Sequence, residues 1–172
     1  MVMEPKTGKI LAMVSKPDFD PNTVESSWNA LSTDENSVLL NRATQGQYAP
    51  GSTFKVVTLL EFMRENPDYS SYSYNCTGSI ENSGIKIHCY NGHVHGQVGL
   101  EESLAYSCNT SFSNIGLSLD PVKFKKTAEE VLFESKLPSD LPYSKSSFTM
   151  DSSAGNGTKM MTAMGQGETQ VS

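Results

Sequence analysis

Apolar and polar positions divide the chain into short strands and amphipathic helices. The apolar residues of KILAMVS, at 9–15, follow the turn residues Pro5 and Gly8 and predict a strand. Residues 76–98 carry four glycines with three isoleucines between them and predict a hairpin with loops. Helical spacing or helix-start signals predict five helices, at a short segment around Trp28, 52–64, 100–106, from after Asn109 to about 117, and 120–134. Segments rich in proline, serine or glycine predict loops at 17–24 and 138–158.

The clearest predicted helix begins at Ser52, directly after the chain-breaking pair Pro50-Gly51. No glycine or proline interrupts this helix before Pro67. Its apolar residues recur at helical spacing and predict one buried face, formed by Val56, Leu59, Leu60 and Met63. Three methionines near the end of the chain have the same kind of spacing and predict core positions at Met160, Met161 and Met164.

Composition indicates one globular domain. The chain has 172 residues, 37% of them apolar and 19% charged. Its net charge is 13 − 19 = −6, which argues against binding to nucleic acid because that interaction needs a basic surface. No apolar run approaches the ~20 residues of a membrane span, and no signal peptide is visible. We therefore expect the chain by itself to be soluble.

A Ser-x-x-Lys pattern at the start of a helix can produce an activated nucleophile. The two side chains share one helix face, and unpaired backbone N–H groups surround a serine in the first turn. A partly buried lysine has a lowered pKa, so it can be neutral and accept the serine proton. The pattern occurs at Ser52–Lys55 and again at Ser83–Lys86, where a hairpin is predicted and no helix supports it. Only Ser52 is therefore a candidate nucleophile, and the alternative is a serine that merely caps its helix.

Two further short motifs accompany this pattern. Ser-x-Asn occurs three times, and only Ser107–Asn109 lies in a break between two predicted helices downstream of Ser52. Lys-Thr-Gly occurs once, at Lys6–Gly8. Serine β-lactamases and penicillin-binding proteins combine the three motifs in one active site.

Longer matches around these motifs carry a family resemblance. NRAxxxxYxPGSTFK at 41–55 and LEESLAYSCNTSF at 100–112 resemble the first and second motifs of class B penicillin-binding proteins. His95-Gly96 and Gly165-Gln166-Gly167 also fit, as does the opening EPKTGKILAMVSKPDFDPN. The matches run in family order through most of residues 3–170, with the least of them in 113–158.

The resemblance implies a fold and a set of roles. The fold would be α/β (α+β), of the β-lactamase/transpeptidase type, with an antiparallel sheet packed with helices and a mostly helical subdomain. The enzyme would be a serine-type peptidoglycan D,D-transpeptidase. Ser52 would attack a D-Ala-D-Ala stem peptide, Lys55 would accept its proton, Ser107 would relay a proton to the leaving D-alanine, and Asn109 would hold Lys55 and the substrate. β-Lactam antibiotics would acylate Ser52, and no cofactor is implied.

The third motif is out of place for this family. Lys6–Gly8 precedes the nucleophile, whereas the family's third motif follows the second on a strand beside the cleft. We therefore interpret Lys6–Gly8 as a chance match and residues 1–172 as a partial transpeptidase domain, inactive or impaired alone, whose later strands and third motif lie beyond Ser172. The parent protein would carry an N-terminal membrane anchor and pedestal, lie on the extracytoplasmic face of the bacterial cell membrane, and associate with the machinery of cell-wall synthesis.

Two other functions stay open at this point. One is a serine β-lactamase or D,D-carboxypeptidase, although no deacylating base is evident near Ser52. The other is a non-catalytic module that binds or senses β-lactams. The sequence does not distinguish roles in elongation, division or sporulation.

Histidines and cysteines crowd together between the two motifs. His88, His93, His95 and Cys89 fall within eight positions, but their spacing matches no recognised zinc site, so no metal ligand is predicted. Cys76 and Cys89 flank the predicted hairpin, and a disulfide between them stays open. Cys108 is predicted to be a buried residue in a separate setting.

Overall fold

The computed structural model describes residues 1–172, which pack as two compact units. One unit comprises Met1–Tyr48, Pro138–Lys145 and Ser172, and the other comprises Ala49–Leu137 and Ser146–Val171. No helix in the chain combines the length and apolar character needed to cross a bilayer.

The first unit begins with a hairpin. Strand β1 (Val2–Met3) pairs antiparallel with β2 (Ile10–Ala12), so the predicted strand is confirmed but is shorter than expected. The predicted chance motif Lys6–Gly8 lies in the exposed turn between the two strands. A 3-10 turn at Pro21–Thr23 leads into helix α1 (Val24–Ser32), which confirms the helix predicted around Trp28.

The second unit holds five α-helices. Four of them correspond to predicted helices, namely α2 (Lys55–Glu65), α3 (Leu100–Ala105), α4 (Asn109–Ser118) and α5 (Pro121–Glu130). The fifth is α6 (Asn156–Ala163). The carboxylate of Asp120 accepts hydrogen bonds from two backbone N–H groups of the first turn of α5, as its N-cap position predicts. Helix α5 ends four residues before the predicted Glu134. Leu132 and Glu134 have positive φ angles, which an α-helix cannot accommodate.

The strands of this unit form two antiparallel pairs between α2 and α3. Strand β3 (Tyr74–Cys76) pairs with β6 (Gly96–Val98), and β4 (Ser79–Asn82) pairs with β5 (Ile85–His88). The prediction of a hairpin with loops at 76–98 is therefore confirmed. Together with the helices, these pairs give the mixed helical and antiparallel architecture that the sequence predicted.

Aromatic side chains dominate the core of the second unit. Phe54, Phe124, Phe133 and Phe148 pack with ring centroids 5.2–6.5 Å apart. Met160 and Met164 are buried and Met161 packs against the same core, which confirms the predicted methionine positions. The predicted surface loop 138–158 is not exposed throughout, because Phe148 and Met150 are buried.

The buried face of α2 differs from the predicted one. Val56 and Leu60 are 51% and 42% exposed. The buried positions of the 3-10 turn and α2 are instead Phe54, Lys55, Thr58, Glu61 and Phe62. Apolar spacing misplaced this face because three of its residues are polar and are satisfied by hydrogen bonds. The Thr58 hydroxyl, for example, donates to the Ala163 carbonyl over 2.8 Å.

Candidate active site

Ser52 lies in a 3-10 turn that leads directly into α2. The turn spans Gly51–Phe54, and the Ser52 side chain is exposed. The Gly51 N–H donates to the Gly165 carbonyl over 2.8 Å, so the turn packs backbone to backbone against the chain beyond α6. A Cβ at Gly165, where φ is +79°, would lie 1.9 Å from the Gly51 oxygen. Glycine is therefore required at the first position of the Gly165-Gln166-Gly167 motif.

The Ser-x-Asn motif forms a tight turn between α3 and α4. Ser107 has a φ of +50°, in the left-handed region that non-glycine residues rarely adopt. Cys108 follows as the N-cap of α4, and its N–H donates to the Ser103 carbonyl over 2.9 Å. Asn109 is the first residue of α4. This turn directs the side chains of Ser107 and Asn109 to Lys55.

The Lys55 amine connects the four predicted catalytic residues. Its Nζ atom lies 3.3 Å from Ser52 Oγ, 2.9 Å from Ser107 Oγ and 2.8 Å from Asn109 Oδ1. The Ser107 carbonyl oxygen lies 2.7 Å from the same nitrogen. Ser107 Oγ donates to Ser52 Oγ over 2.9 Å, and Asn109 Nδ2 donates to the His88 carbonyl. The structure thus brings all four residues together.

The oxygens around Lys55 are compatible with both of its protonation states. A protonated lysine has three N–H donors and no lone pair, but four oxygens lie within hydrogen-bond distance of Nζ. A neutral amine would donate two hydrogens, and its lone pair could accept from a serine hydroxyl. The arrangement can therefore hold either form and move a proton between Lys55 and a serine.

Burial lowers the pKa of Lys55. The residue is fully buried, and Nζ lies 5.4 Å from the centroid of the Phe112 ring. Loss of hydration destabilises the charged form and is the largest effect, whereas negative charge on the Cys108 and Cys89 sulfurs would oppose it. The pKa falls from 10.5 to about 8, so a substantial neutral fraction exists near physiological pH.

A cleft of about 640 Å³ opens beside Ser52, Ser107 and Asn109. Its other lining residues, none of which was predicted to belong to the site, are Tyr90, Asn91, His93, His95 and Tyr106. Two of them lie in segments that carry the family resemblance, His95 in His95-Gly96 and Tyr106 in residues 100–112. None of the lining residues carries a carboxylate.

The second Ser-x-x-Lys match has none of these features. Ser83 lies in the turn between β4 and β5, and both Ser83 and Lys86 are exposed. This position is consistent with the interpretation of Ser83–Lys86 as a chance match.

A second group of reactive side chains lies behind the Ser-x-Asn turn. Cys76, Cys89, His95 and Cys108 place their ligand atoms within 4.8 Å of one another and could hold a metal ion. The three cysteines are free and buried. The prediction that Cys108 has a separate setting is wrong, because helix α4 begins beside the hairpin that carries Cys89. His88 and His93 are outside the group.

An exposed serine beside a buried lysine, with a second serine and an asparagine on the same amine, resembles the arrangement of the three-motif site of serine β-lactamases and penicillin-binding proteins. Residues 1–172 match the family model of the penicillin-binding protein transpeptidase domain. The chain belongs to this family.

Curated relatives and solved structures agree with this assignment. The peptidoglycan D,D-transpeptidase PbpA of Mycolicibacterium smegmatis is 39% identical over 145 residues, which are 75% of this chain and 29% of the relative. Stage V sporulation protein D of Bacillus subtilis is 32% identical over 142 residues, 82% of this chain and 21% of the relative. Penicillin-binding protein A from M. tuberculosis, solved as a penicillin G acyl-enzyme complex, has a TM-score of 0.83 and 28% identity. That match covers 98% of this chain and 41% of the other. The chain thus spans less than half the length of each of these proteins.

Proposed function

We propose that the protein containing this chain is a peptidoglycan D,D-transpeptidase that acts through an acyl-enzyme on Ser52. The observation that carries the proposal is the buried Lys55 amine, which contacts Ser52, Ser107 and Asn109 at once. Membership of the transpeptidase family and the similarity to an acyl-enzyme complex support the same reaction.

In the first half-reaction, Ser52 Oγ attacks the carbonyl carbon of the penultimate D-alanine of a stem peptide. Lys55 accepts the hydroxyl proton as the new C–O bond forms. The proton then passes through Ser107 Oγ, which lies 2.9 Å from both Lys55 Nζ and Ser52 Oγ. It reaches the nitrogen of the terminal D-alanine as the amide bond breaks, and D-alanine leaves.

In the second half-reaction, an amine of a neighbouring stem peptide attacks the acyl-enzyme. Lys55 and Ser107 carry the proton in the opposite direction, and Ser52 is regenerated with a cross-link formed. A β-lactam resembles the donor and acylates Ser52 in the same way, but its leaving amine stays attached. No residue of this chain that lines the cleft carries a carboxylate that could activate water toward the acyl-enzyme.

The developing oxyanion needs two backbone donors. The Ser52 N–H is one of them in our proposal. The other would come from a strand carrying the third motif, which we place after residue 172 in the parent protein. Residues 1–172 would then be part of a catalytic domain anchored at the extracytoplasmic face of the membrane and working with other cell-wall synthesis proteins.

The test is a transfer assay on the full-length protein. A stem peptide ending in D-Ala-D-Ala is supplied with an acceptor amine, and mass spectrometry measures the cross-linked and hydrolysed products. We expect cross-linked product from the unaltered protein and from Ser83→Ala, which changes the exposed Ser-x-x-Lys match. Ser52→Ala should form none.

Each other outcome selects a different function. Hydrolysed peptide without cross-linked product would support a D,D-carboxypeptidase and overturn the transpeptidase proposal. Rapid consumption of benzylpenicillin with neither peptide product would support a β-lactamase. Binding of penicillin without an acyl-enzyme or turnover would support a sensor module.

A further inference from the structure

A chain of hydrogen-bonded hydroxyl groups links the two helices that flank the Ser-x-Asn turn. The Ser103 hydroxyl of α3 donates to the Gly99 carbonyl over 2.6 Å, and Ser103 Oγ lies 2.7 Å from Ser111 Oγ of α4. The Tyr72 hydroxyl, from the segment before β3, lies 2.9 Å from Ser111 Oγ. Asn114 Nδ2 donates to the Tyr72 oxygen over 3.4 Å. The reaction proposed above uses none of these five residues.

The direction of each hydrogen bond follows from the end of the chain. A carbonyl oxygen can only accept, so the single hydroxyl hydrogen of Ser103 is used at Gly99. Ser111 must then donate to Ser103, and Tyr72 must donate to Ser111. Burial is the largest influence on the pKa of Tyr72 and raises it, so this hydroxyl keeps its proton and remains a donor. All hydrogen bonds of the chain therefore point toward Gly99.

The chain lies in the interior of the second unit. Ser103 and Ser111 are fully buried, so water cannot replace a partner that either hydroxyl loses. A buried hydroxyl without a partner destabilises the arrangement that contains it. The Tyr72 ring packs edge-on against Phe62 of α2, with ring centroids 5.2 Å apart, which fixes the position of its hydroxyl. The chain thus favours one placement of α3 relative to α4.

That placement also determines the geometry of the catalytic turn. The Ser103 carbonyl accepts the Cys108 N–H over 2.9 Å, so Ser103 contributes its hydroxyl to the chain and its carbonyl to the turn. Ser107 has a φ of +50°, a conformation that persists only where its surroundings hold it. On the α4 side, the Phe112 ring next to the chain lies 5.4 Å from Lys55 Nζ. A shift of α3 against α4 would move both the turn and one wall around the amine.

We propose that Tyr72 is a positioning residue for the reaction at Ser52. Its hydroxyl orients Ser111 and, through Ser111, Ser103. The two helices then hold the turn that presents the Ser-x-Asn side chains to the lysine. Tyr72 acts at a distance, since it does not line the cleft. This role rests on the function proposed above, whereas the hydrogen-bonded chain itself does not.

The experiment is stopped-flow acylation of the full-length protein by a fluorescent penicillin over a range of concentrations. It gives the dissociation constant of the non-covalent complex, the acylation rate constant and the fraction of molecules that react. Tyr72→Phe removes one hydroxyl and keeps the ring, and we expect it to lower the rate constant about threefold to tenfold. Ser111→Ala interrupts the chain at its middle and should lower it by about tenfold or more. The dissociation constant should not change.

These readouts separate positioning from stability. Loss of stability alone would reduce the fraction of molecules that react and leave the rate constant of the remaining molecules unchanged. Ser113→Ala is the matched control, because Ser113 is a buried serine of α4 whose hydroxyl donates to the Met160 carbonyl. Tyr69→Phe changes an exposed tyrosine of the same segment as Tyr72. Both controls should keep the rate constant of the unaltered protein.

Urea unfolding tests the chain without reference to catalysis. Tyr72→Phe and Ser111→Ala should each lower the unfolding midpoint. Because both hydroxyls belong to one chain, the double variant should have a midpoint close to that of Ser111→Ala alone, and fully additive shifts would contradict the chain.

The acylation outcomes distinguish this inference from the proposed function. If the unaltered protein is acylated and both chain variants keep its rate constant, the positioning role is overturned and the proposed function stands. If the unaltered protein is not acylated, the proposed function fails, and the positioning role fails with it.

Discussion

The protonation state of Lys55 should control the rate at which penicillin acylates Ser52. With a pKa of about 8, about a tenth of the Lys55 side chains are neutral at pH 7, about half at pH 8 and about nine-tenths at pH 9. An ordinary lysine, with a pKa of 10.5, would have about 300-fold less neutral amine at pH 7. Burial of the amine beside Phe112 thus makes a general base available under physiological conditions.

The predicted direction follows from the role of the neutral form. Only neutral Lys55 can accept the Ser52 proton, so the acylation rate constant should rise with pH and level off above the pKa. The expected increase is about tenfold between pH 6 and pH 7, and about fivefold between pH 7 and pH 8. Above pH 9 it should change little.

The assay is stopped-flow acylation of the full-length protein by a fluorescent penicillin, at constant ionic strength from pH 6 to pH 10. Lys55→Arg, which cannot deprotonate in this range, should lower the rate by about 10²–10⁴-fold. Lys86→Arg, at the exposed Ser-x-x-Lys match, is the control and should leave the profile unchanged. A flat profile, a rate that falls with rising pH, or an inflection near the pKa of an ordinary lysine would refute the role of Lys55.

Three further predictions concern packing around the site. Phe124→Ala should destabilise the fold by about 3–5 kcal/mol in urea unfolding, because Phe124 is fully buried among other phenylalanines. The control Val122→Ala, at an exposed position, should change stability by less than about 0.5 kcal/mol. Equal effects of the two substitutions would contradict this packing. Gly165→Ala should slow penicillin acylation, since its Cβ would displace the turn that carries Ser52, and an unchanged rate would show that this contact does not position the nucleophile. Thr127→Val should cost about 1–3 kcal/mol because it removes a hydrogen bond to a buried glutamate, and an unchanged urea midpoint would argue against that bond.

Local patterns in the sequence were sufficient for most of the helices and for the catalytic residues. Proline, glycine and capping residues determine where α2 and α5 begin, and these signals act over a few residues. Ser52–Lys55 and Ser107–Asn109 were recognised because each motif has its own context at a helix start. The contact of both motifs with the Lys55 amine depends on the tertiary structure, and in the sequence only the family resemblance indicated it.

Other features depend on contacts between distant segments. The buried face of α2 was misplaced because Lys55 and Thr58 are polar, and their burial is possible only through partners from α4 and α6. The convergence of Cys76, Cys89, His95 and Cys108 was not predicted, for the same reason, although Cys89 and His95 were considered as metal ligands and set aside. The four residues are separated by 13, 6 and 13 positions along the chain, unlike the close pairs of recognised zinc motifs, and strand pairing brings them together.

The central claim is that Ser52 is the activated nucleophile of this chain. The most direct measurement incubates the full-length protein with benzylpenicillin, digests it and locates the adduct by tandem mass spectrometry. We predict one penicilloyl group per chain, attached to Ser52 and persisting long enough to be isolated. An adduct on Ser83, Ser107 or any other residue, or no covalent adduct, would contradict the claim.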